Sequence, residues 1–262
     1  MGCSTVWWVE NPKEEPMRSM TCVAVGCALA LLFPAAPGRA GERCFGKIPT
    51  IVGTKGPDKL RGTPGDDVIM SERGNDVIKG RGGNDRICSG TGFDKILAGG
   101  GDDRILGGHG VDDLYGWRGD DVILVGSTEC GDCWMEEQWE SAFGEAGNDR
   151  LVGWRNPNEL YGGPGRDTIE GRGFWIGGAN ETLDGGAGPD LITSTGYAGG
   201  EVFLIGGPGD DDLEGGEAAE DLFGGSGDDA LDGGDNENRL DGGEGHDSCV
   251  NGTPENCEEY SP

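Results

Sequence analysis

The sequence predicts an all-β solenoid, a fold that grows by stacking one short coil on the next. Three observations carry that prediction. An aspartate recurs every nine residues through most of the chain, with a glycine two residues before it and a large aliphatic residue two residues after it. Glycine appears 55 times in 262 residues, without the period of three that marks collagen. Asp and Glu number 49 against 20 Lys and Arg, a formal net charge of −29, and only 34% of the residues are hydrophobic.

Such a composition stays disordered unless its carboxylates are neutralised, because self-repulsion adds to the large ordering entropy of glycine. It makes nucleic acid a poor partner, since phosphate binding needs Lys and Arg. Multivalent cations are the natural counterpart of this much carboxylate.

Residues 1–40 read as a signal-peptide region. The apolar run TCVAVGCALALLF spans Thr21 to Phe33 behind Arg18, and the small-residue stretch AAPGRA ends at Ala40. Thirteen apolar residues are too few to span a bilayer as a helix; the competing reading is a membrane-retained signal anchor. Residues 1–16 make an unusual prelude, which points to Met17 or Met20 as the true start. Position 6 is Val6, so a myristoylation signal is not met.

Cleavage after Ala40 would leave Cys44, Cys88, Cys130, Cys133, Cys249 and Cys257, an even number behind an export signal, which favours disulfides. The connectivity is open from sequence. The expected pairing is Cys44–Cys88 at an N-terminal cap, Cys130–Cys133 in an insertion and Cys249–Cys257 at the C-terminal end. A zinc reading of Cys130 and Cys133 lacks a second pair of ligands nearby.

The first tract, residues 53–124, is unbroken. Its aspartates are Asp58, Asp67, Asp76, Asp85, Asp94, Asp103, Asp112 and Asp121. The glycines ahead of them are Gly56, Gly65, Gly74, Gly83, Gly92, Gly101, Gly110 and Gly119, and the aliphatics behind them run from Leu60 to Ile123. Residues 125–146 interrupt the pattern. Glu140 with Ala142 fits a degenerate repeat nine before Asp149, leaving 125–138 as an insertion in its turn.

In the second tract, residues 147–250, full and degenerate copies alternate. Asp149, Asp167, Asp190, Asp211, Asp229 and Asp247 keep the aspartate, whereas Asn158, Glu181, Val202, Glu220 and Asn238 stand in the same slot of the intervening copies. The extra residues between Asp167 and Glu181, and between Asp190 and Val202, fall in the degenerate copies too.

Complete copies such as GGHGVDDLY from Gly107, GGPGRDTIE from Gly162 and GGSGDDALD from Gly224 resemble the G-G-x-G-x-D-x-U-x repeat of the RTX (hemolysin-type) calcium-binding family, where U is a large aliphatic residue. The resemblance covers most of residues 53–250. It implies a right-handed parallel β-roll, a β-solenoid of nonapeptide repeats with two short strands per coil and turns stacked 18 residues apart. It implies calcium between stacked turns, on the order of ten ions. The ligands would be the fourteen repeat aspartates named above together with backbone carbonyls of the glycine turns. Those turns include Gly56, Gly65, Gly83, Gly101, Gly110, Gly119, Gly165, Gly209, Gly227 and Gly245.

Elementary chemistry agrees with that implication. Glycine permits the positive-φ turn that points successive carbonyls inward, and oxygen-only ligands suit a hard cation. The single inward side chain of each x-U-x strand makes a thin core, so metal would have to contribute much of the folding free energy. Because alternate turns lie on opposite edges of a roll, Asp67, Asp85, Asp103, Asp121, Asp149, Asp167, Asp190, Asp211, Asp229 and Asp247 form one continuous ligand edge. Asp58, Asp76, Asp94 and Asp112 form a shorter one opposite.

The ends read as caps. Ile51, nine before Leu60, heads an extra coil within an N-terminal cap at 41–52. The tail at 251–262 folds over the last coil if Cys249 pairs with Cys257.

Little else carries chemistry. The two histidines, His109 and His246, sit in glycine turns with no partner at i±4, which excludes an H-E-x-x-H zinc helix. There is no G-x-S-x-G elbow and no G-K-[ST] loop. Paired carboxylates such as Asp66/Asp67 and Asp102/Asp103 read as one ligand and one solvated neighbour. Asn180-Glu-Thr182 and Asn251-Gly-Thr253 are glycosylation sequons by pattern only. The repeat leaves Trp134, Trp139, Trp154, Trp175 and Tyr197 unexplained. They fall in the interruption or in degenerate turns, where they either pack the loops together or form an aromatic edge for a glycan or protein ligand. The expectation is therefore a secreted, non-enzymatic calcium-binding protein, extracellular or associated with the cell surface and without a transmembrane anchor. The alternative is a calcium-rigidified adhesion module that uses the aromatic edge.

Overall fold

The structure, a computed structural model, describes residues 43–126, 140–154, 158–172, 180–195 and 200–259, and the backbone alone at 174–175, 197–198 and 260–261. Among the described residues there is no helix. The chain forms a parallel β-solenoid whose strands alternate between two long parallel sheets. The first sheet has 12 strands, from Ile51–Val52 through Val68–Met70 to Glu259–Ser261; the second has 11, from Lys59–Arg61 through Val77–Lys79 to Thr253–Glu255. The predicted fold class therefore holds.

The nonapeptide dictates this architecture. Each x-U-x stretch is extended, and its one inward residue is walled off by the sheet opposite. Ile69, Ile87, Ile105 and Ile123 line the inside of the first sheet; Ile78, Ile96 and Leu114 face them from the second, all at 0% exposure. A fully buried Ile or Leu contributes roughly 1.5–3 kcal/mol. Two such side chains per coil make a core one residue thick, so the turns must carry the rest of the specificity.

Register shows where the coil lengths change. Ile69 pairs with Ile87 and Ile87 with Ile105, at the 18-residue step. Leu114 then pairs with Ala142, Leu160 with Leu183, and Leu183 with Leu204, so the steps lengthen to 28, 23 and 21 residues. The strands stay in phase throughout, because each added stretch falls between a strand of the first sheet and the next strand of the second. There the backbone of Phe174–Trp175 pairs with Tyr197–Ala198 in a small parallel sheet of its own, so two successive insertions stack on each other.

The N-terminal end is closed by Ile51, which pairs with Ile69 as an extra half-coil. Ahead of it the chain runs along the outside of the first sheet. Cys44 is disulfide-bonded to Cys88, and the Arg104 guanidinium lies 4.8 Å from the Phe45 ring. At the other end Cys249 is bonded to Cys257, and the tail adds one short strand to each sheet. On the outer face of the second sheet Tyr115, Phe143 and Tyr161 stack with centroids 4.9 and 5.0 Å apart and planes within 10°. Cys130 and Cys133, and the region 1–40, lie outside the described residues.

Candidate metal centres

Each full turn closes by the same two devices. The glycine four places into the turn takes a left-handed backbone, at φ +141° in Gly92 and +159° in Gly165. A side-chain carbon at Gly165 would also collide with the carbonyl oxygen of Gly147 one coil away, so only glycine fits. With the backbone so folded, the aspartate that ends the turn swings beneath it and is buried. Its Oδ1 accepts the backbone N–H of the aspartate one coil earlier. On the first edge these bonds run from the N–H of Asp67 to Asp85 and so on to Asp247, at 2.7 to 2.9 Å. On the second edge the same ladder joins Asp58, Asp76, Asp94 and Asp112.

The second oxygen of these carboxylates decides the chemistry. Oδ2 is buried and accepts no hydrogen bond in Asp85, Asp103, Asp121, Asp149, Asp167, Asp190, Asp211, Asp229 and Asp247 on the first edge, and in Asp76, Asp94 and Asp112 on the second. An unsatisfied buried carboxylate oxygen costs far more than an ordinary missing hydrogen bond. At Gly162, Gly206 and Gly224 the Oδ2 of the turn's own aspartate and a carbonyl oxygen of the next coil crowd the same point beside the turn's first glycine. Among the described residues no three His, Cys, Asp or Glu side chains converge, so backbone oxygens must complete any ion's shell. Carboxylate plus carbonyl is the donor set of a hard cation, and the residues present fit calcium.

Electrostatics agree. Burial pushes the carboxyls of Asp112 and Asp121 up to about 8, and those of Asp103, Asp149 and Asp190 up to about 7. Asp85, Asp167 and Asp229 are raised to about 6 by the same cause, and Asp94 and Asp211 are raised as well. The N–H bond to Oδ1 works against burial in each of them, while neighbouring carboxylates add to it in most.

Two of the fourteen aspartates differ. Thr54 donates its N–H and its hydroxyl to Oδ2 of Asp58, at 2.6 and 3.0 Å, and Thr63 does the same for Asp67, at 2.6 and 2.9 Å. The first turn on each edge is thus satisfied by protein groups, and Gly56 and Gly65 in those turns have no positive φ and, among the described residues, no repeat turn packed against them from the N-terminal side. The signal was in the sequence: threonine takes the place of the second glycine in both copies.

Beyond Asp112 the second edge changes character. Glu140, Asn158, Glu181, Glu220 and Asn238 all lie buried in the aspartate slot. Asn158 donates to Oε1 of Glu181 at 3.1 Å. Asn238 keeps the ladder, accepting the N–H of Glu220 at 2.8 Å, while its amide nitrogen donates to the carbonyls of Gly233 and Asp235 in its own turn. Glu220 reaches back to the N–H of Gly216 at 3.0 Å but keeps Oε2 unmet.

The neighbouring aspartates read as merely solvated have a structural role that sequence reasoning missed. Asp66, Asn84, Asp102, Asp120 and Asn148 form an outer, exposed ladder in which each side-chain oxygen accepts the N–H of the residue one coil later, at 2.8 to 3.1 Å. It resumes from Asp210 through Asp228 to His246, at 3.0 Å. The recurrence of Asp or Asn just before the buried aspartate was the available signal.

Of the aromatic candidates, Trp134 and Trp139 lie outside the described residues, and only the backbone of Trp175 and Tyr197 is described. Trp154 is half-buried, with the Arg172 guanidinium 4.7 Å from its ring. No aromatic edge is assembled among the described side chains.

Fold and site together define a class: a parallel β-solenoid repeat protein whose turns carry the oxygen donor set of a hard cation. The profile of the RTX calcium-binding nonapeptide repeat (4 copies) matches residues 50–78, 61–96, 89–123, 143–173, 175–196, 198–219 and 214–249. The chain belongs to that family of calcium-binding repeats. No curated protein matches it.

Proposed function

We propose that this protein is a secreted calcium-binding roll that folds when calcium fills the gaps between its turns, and that it has no reaction of its own. The observation that carries the reading is the set of twelve buried aspartates whose Oδ2 has no hydrogen-bond partner. Bound calcium supplies the positive charge that these oxygens otherwise lack. The ladder holds each carboxylate in place through Oδ1, leaving Oδ2 pre-oriented, and the glycine turns present carbonyls beside it. A site made of stacked turns does not exist in the unfolded chain, so binding free energy becomes folding free energy.

We assign the ion-holding role to Asp76, Asp94 and Asp112 on one edge and to Asp85 through Asp247 on the other, consistent with on the order of ten ions. Asp58 and Asp67 serve instead as threonine-closed starting turns. Export is supported by the apolar segment at 21–33 and by the Cys44–Cys88 and Cys249–Cys257 disulfides, which persist in oxidising compartments. Among the described residues no helix is long and apolar enough to cross a membrane.

The test is far-UV circular dichroism of the chelated protein titrated with calcium. A cooperative gain of β signal at submillimolar to millimolar calcium, absent with magnesium, is the expected result. A chain fully folded in excess chelator would overturn the folding role.

A further inference from the structure

The family match ends at residue 249, yet the stacking of turns does not. Glu259–Ser261 pairs with Ser248–Val250, with Ser248 opposite Glu259. In the regular coils the residue just before the strand is the buried aspartate, so this register puts Glu258 in the slot of the next repeat aspartate. Its carboxylate does what that aspartate would do: Oε2 accepts the backbone N–H of Asp247 at 2.8 Å. The following N–H, of Glu259, returns to the Asp247 carbonyl at 3.0 Å, as the N–H of Ser248 returns to that of Asp229 at 2.8 Å.

The other end of the turn is matched as well. Beside Gly224 the crowding atoms are Oδ2 of Asp229 and the carbonyl oxygen of Gly242. Beside Gly242 they are Oδ2 of Asp247 and the carbonyl oxygen of Asn256. Asn256 therefore offers its carbonyl where the first glycine of a further repeat would offer one, and it takes a left-handed backbone to do so, at φ +47°. Between Thr253–Glu255 and Glu259–Ser261 only Asn256, Cys257 and Glu258 remain, where Gly242 to Asp247 fill the preceding turn. Three residues stand in for six, and the Cys249–Cys257 disulfide ties the shortened turn to the coil beneath it.

Asp247 is fully buried, and its Oδ2 has no hydrogen-bond partner. We propose that Asn256–Glu258 is an abbreviated terminal turn that completes a last calcium site over Asp247. Its ligands are Oδ2 of Asp247, the carbonyl of Asn256 and the carboxylate of Glu258, and its closure depends on the Cys249–Cys257 disulfide. The site rests on the calcium reading of the roll but uses residues outside the repeats.

Counting bound calcium on the full chain by equilibrium dialysis tests it. Glu258→Gln keeps an acceptor for the Asp247 N–H but loses the charge, and it should bind one ion fewer than the wild type with the remaining sites unchanged. Asn256→Gly keeps the carbonyl and tolerates the positive φ, and it should bind the wild-type number. A Glu258→Gln protein that binds the full number with unchanged affinity overturns the terminal site alone. A wild-type chain that binds no calcium overturns the reading of the whole roll. If Glu258→Gln fails to fold in saturating calcium, the wild type decides. Selective reduction of Cys249–Cys257, with Cys44–Cys88 shown intact by peptide mapping, should release one ion, and release of none overturns the proposal.

Discussion

The backbone N–H of Asp103 donates to Oδ1 of Asp121, one coil further along the chain, at 2.7 Å, while the other oxygen of Asp121 is buried and unmet. One side chain thus does two separable jobs: one oxygen joins the coils, and the other waits for a cation. Asp121→Asn keeps the first job and removes the charge from the second. The variant should be more stable than the wild type in chelator, by roughly 1–3 kcal/mol, the scale of an unsatisfied buried polar group. It should be less stable than the wild type in saturating calcium. Denaturant unfolding under both conditions measures the pair, and the same sign in both would break the assignment.

The raised carboxyls set a pH dependence of their own. Asp103, Asp112, Asp121, Asp149 and Asp190 titrate at about 7 to 8 in the folded, metal-free chain, against about 3.9 for an unfolded aspartate. The protonated form is therefore favoured by folding. Its stabilising contribution is fully present below about pH 4 and is lost as pH rises through 7 to 8. In chelator the β signal should grow on acidification from pH 8 to pH 5. Calcium requires the deprotonated form, so its affinity should rise as the pH increases from 5 to 8, with proton release on binding. Calorimetry in buffers of different ionisation enthalpy reads that release.

Glycine positions that look alike in sequence should not respond alike. Gly165→Ala forces a side chain into the carbonyl of Gly147 at φ +159° and should cost more than about 3 kcal/mol. Gly65→Ala meets nothing closer than the Thr63 hydroxyl at 4.0 Å and should cost less than about 1 kcal/mol. Thermal unfolding in calcium separates the two.

Stability can also be lowered without touching a metal gap. Phe143 is the middle ring of the stack with Tyr115 and Tyr161. Phe143→Ala should destabilise by about 2–4 kcal/mol, since two aromatic pairs and a large apolar side chain are lost together. The number of bound ions should stay the same, and a lower number would mean that the sheet face and the turns are coupled.

The repeat made the fold legible because each level points to the same phase. Asp67, Ile69 and Gly65 fall at fixed offsets, so strand, inward face and turn follow from one another, and alternate copies such as Asp149 and Asn158 must lie on opposite edges. What the phase did not reveal depends on residues that change role with position in the stack. Asp67 is identical in pattern to Asp85, but no repeat turn precedes its own, and Thr63 satisfies its second oxygen. Asp66 and Asp102 looked surplus because their partners are backbone N–H groups, which carry no signature in sequence. Glu258 was invisible because its turn is half the usual length, and only the strand register places it opposite Asp247.

The inner ladder also has a direction. Asp67 leans on Asp85, and each aspartate after it leans on its successor, until Asp247 leans on Glu258. The two halves of a severed roll are therefore not equivalent. On the inner ladder, a piece missing its N-terminal coils keeps its donors matched and has an acceptor to spare, whereas a piece missing its C-terminal coils ends on a donor with nothing to receive it; the outer ladder leans the other way, from Asp102 back to Asn84 and from Asn84 back to Asp66. Along the inner ladder alone, the buried aspartates form a column in which the last-made segment is the foundation.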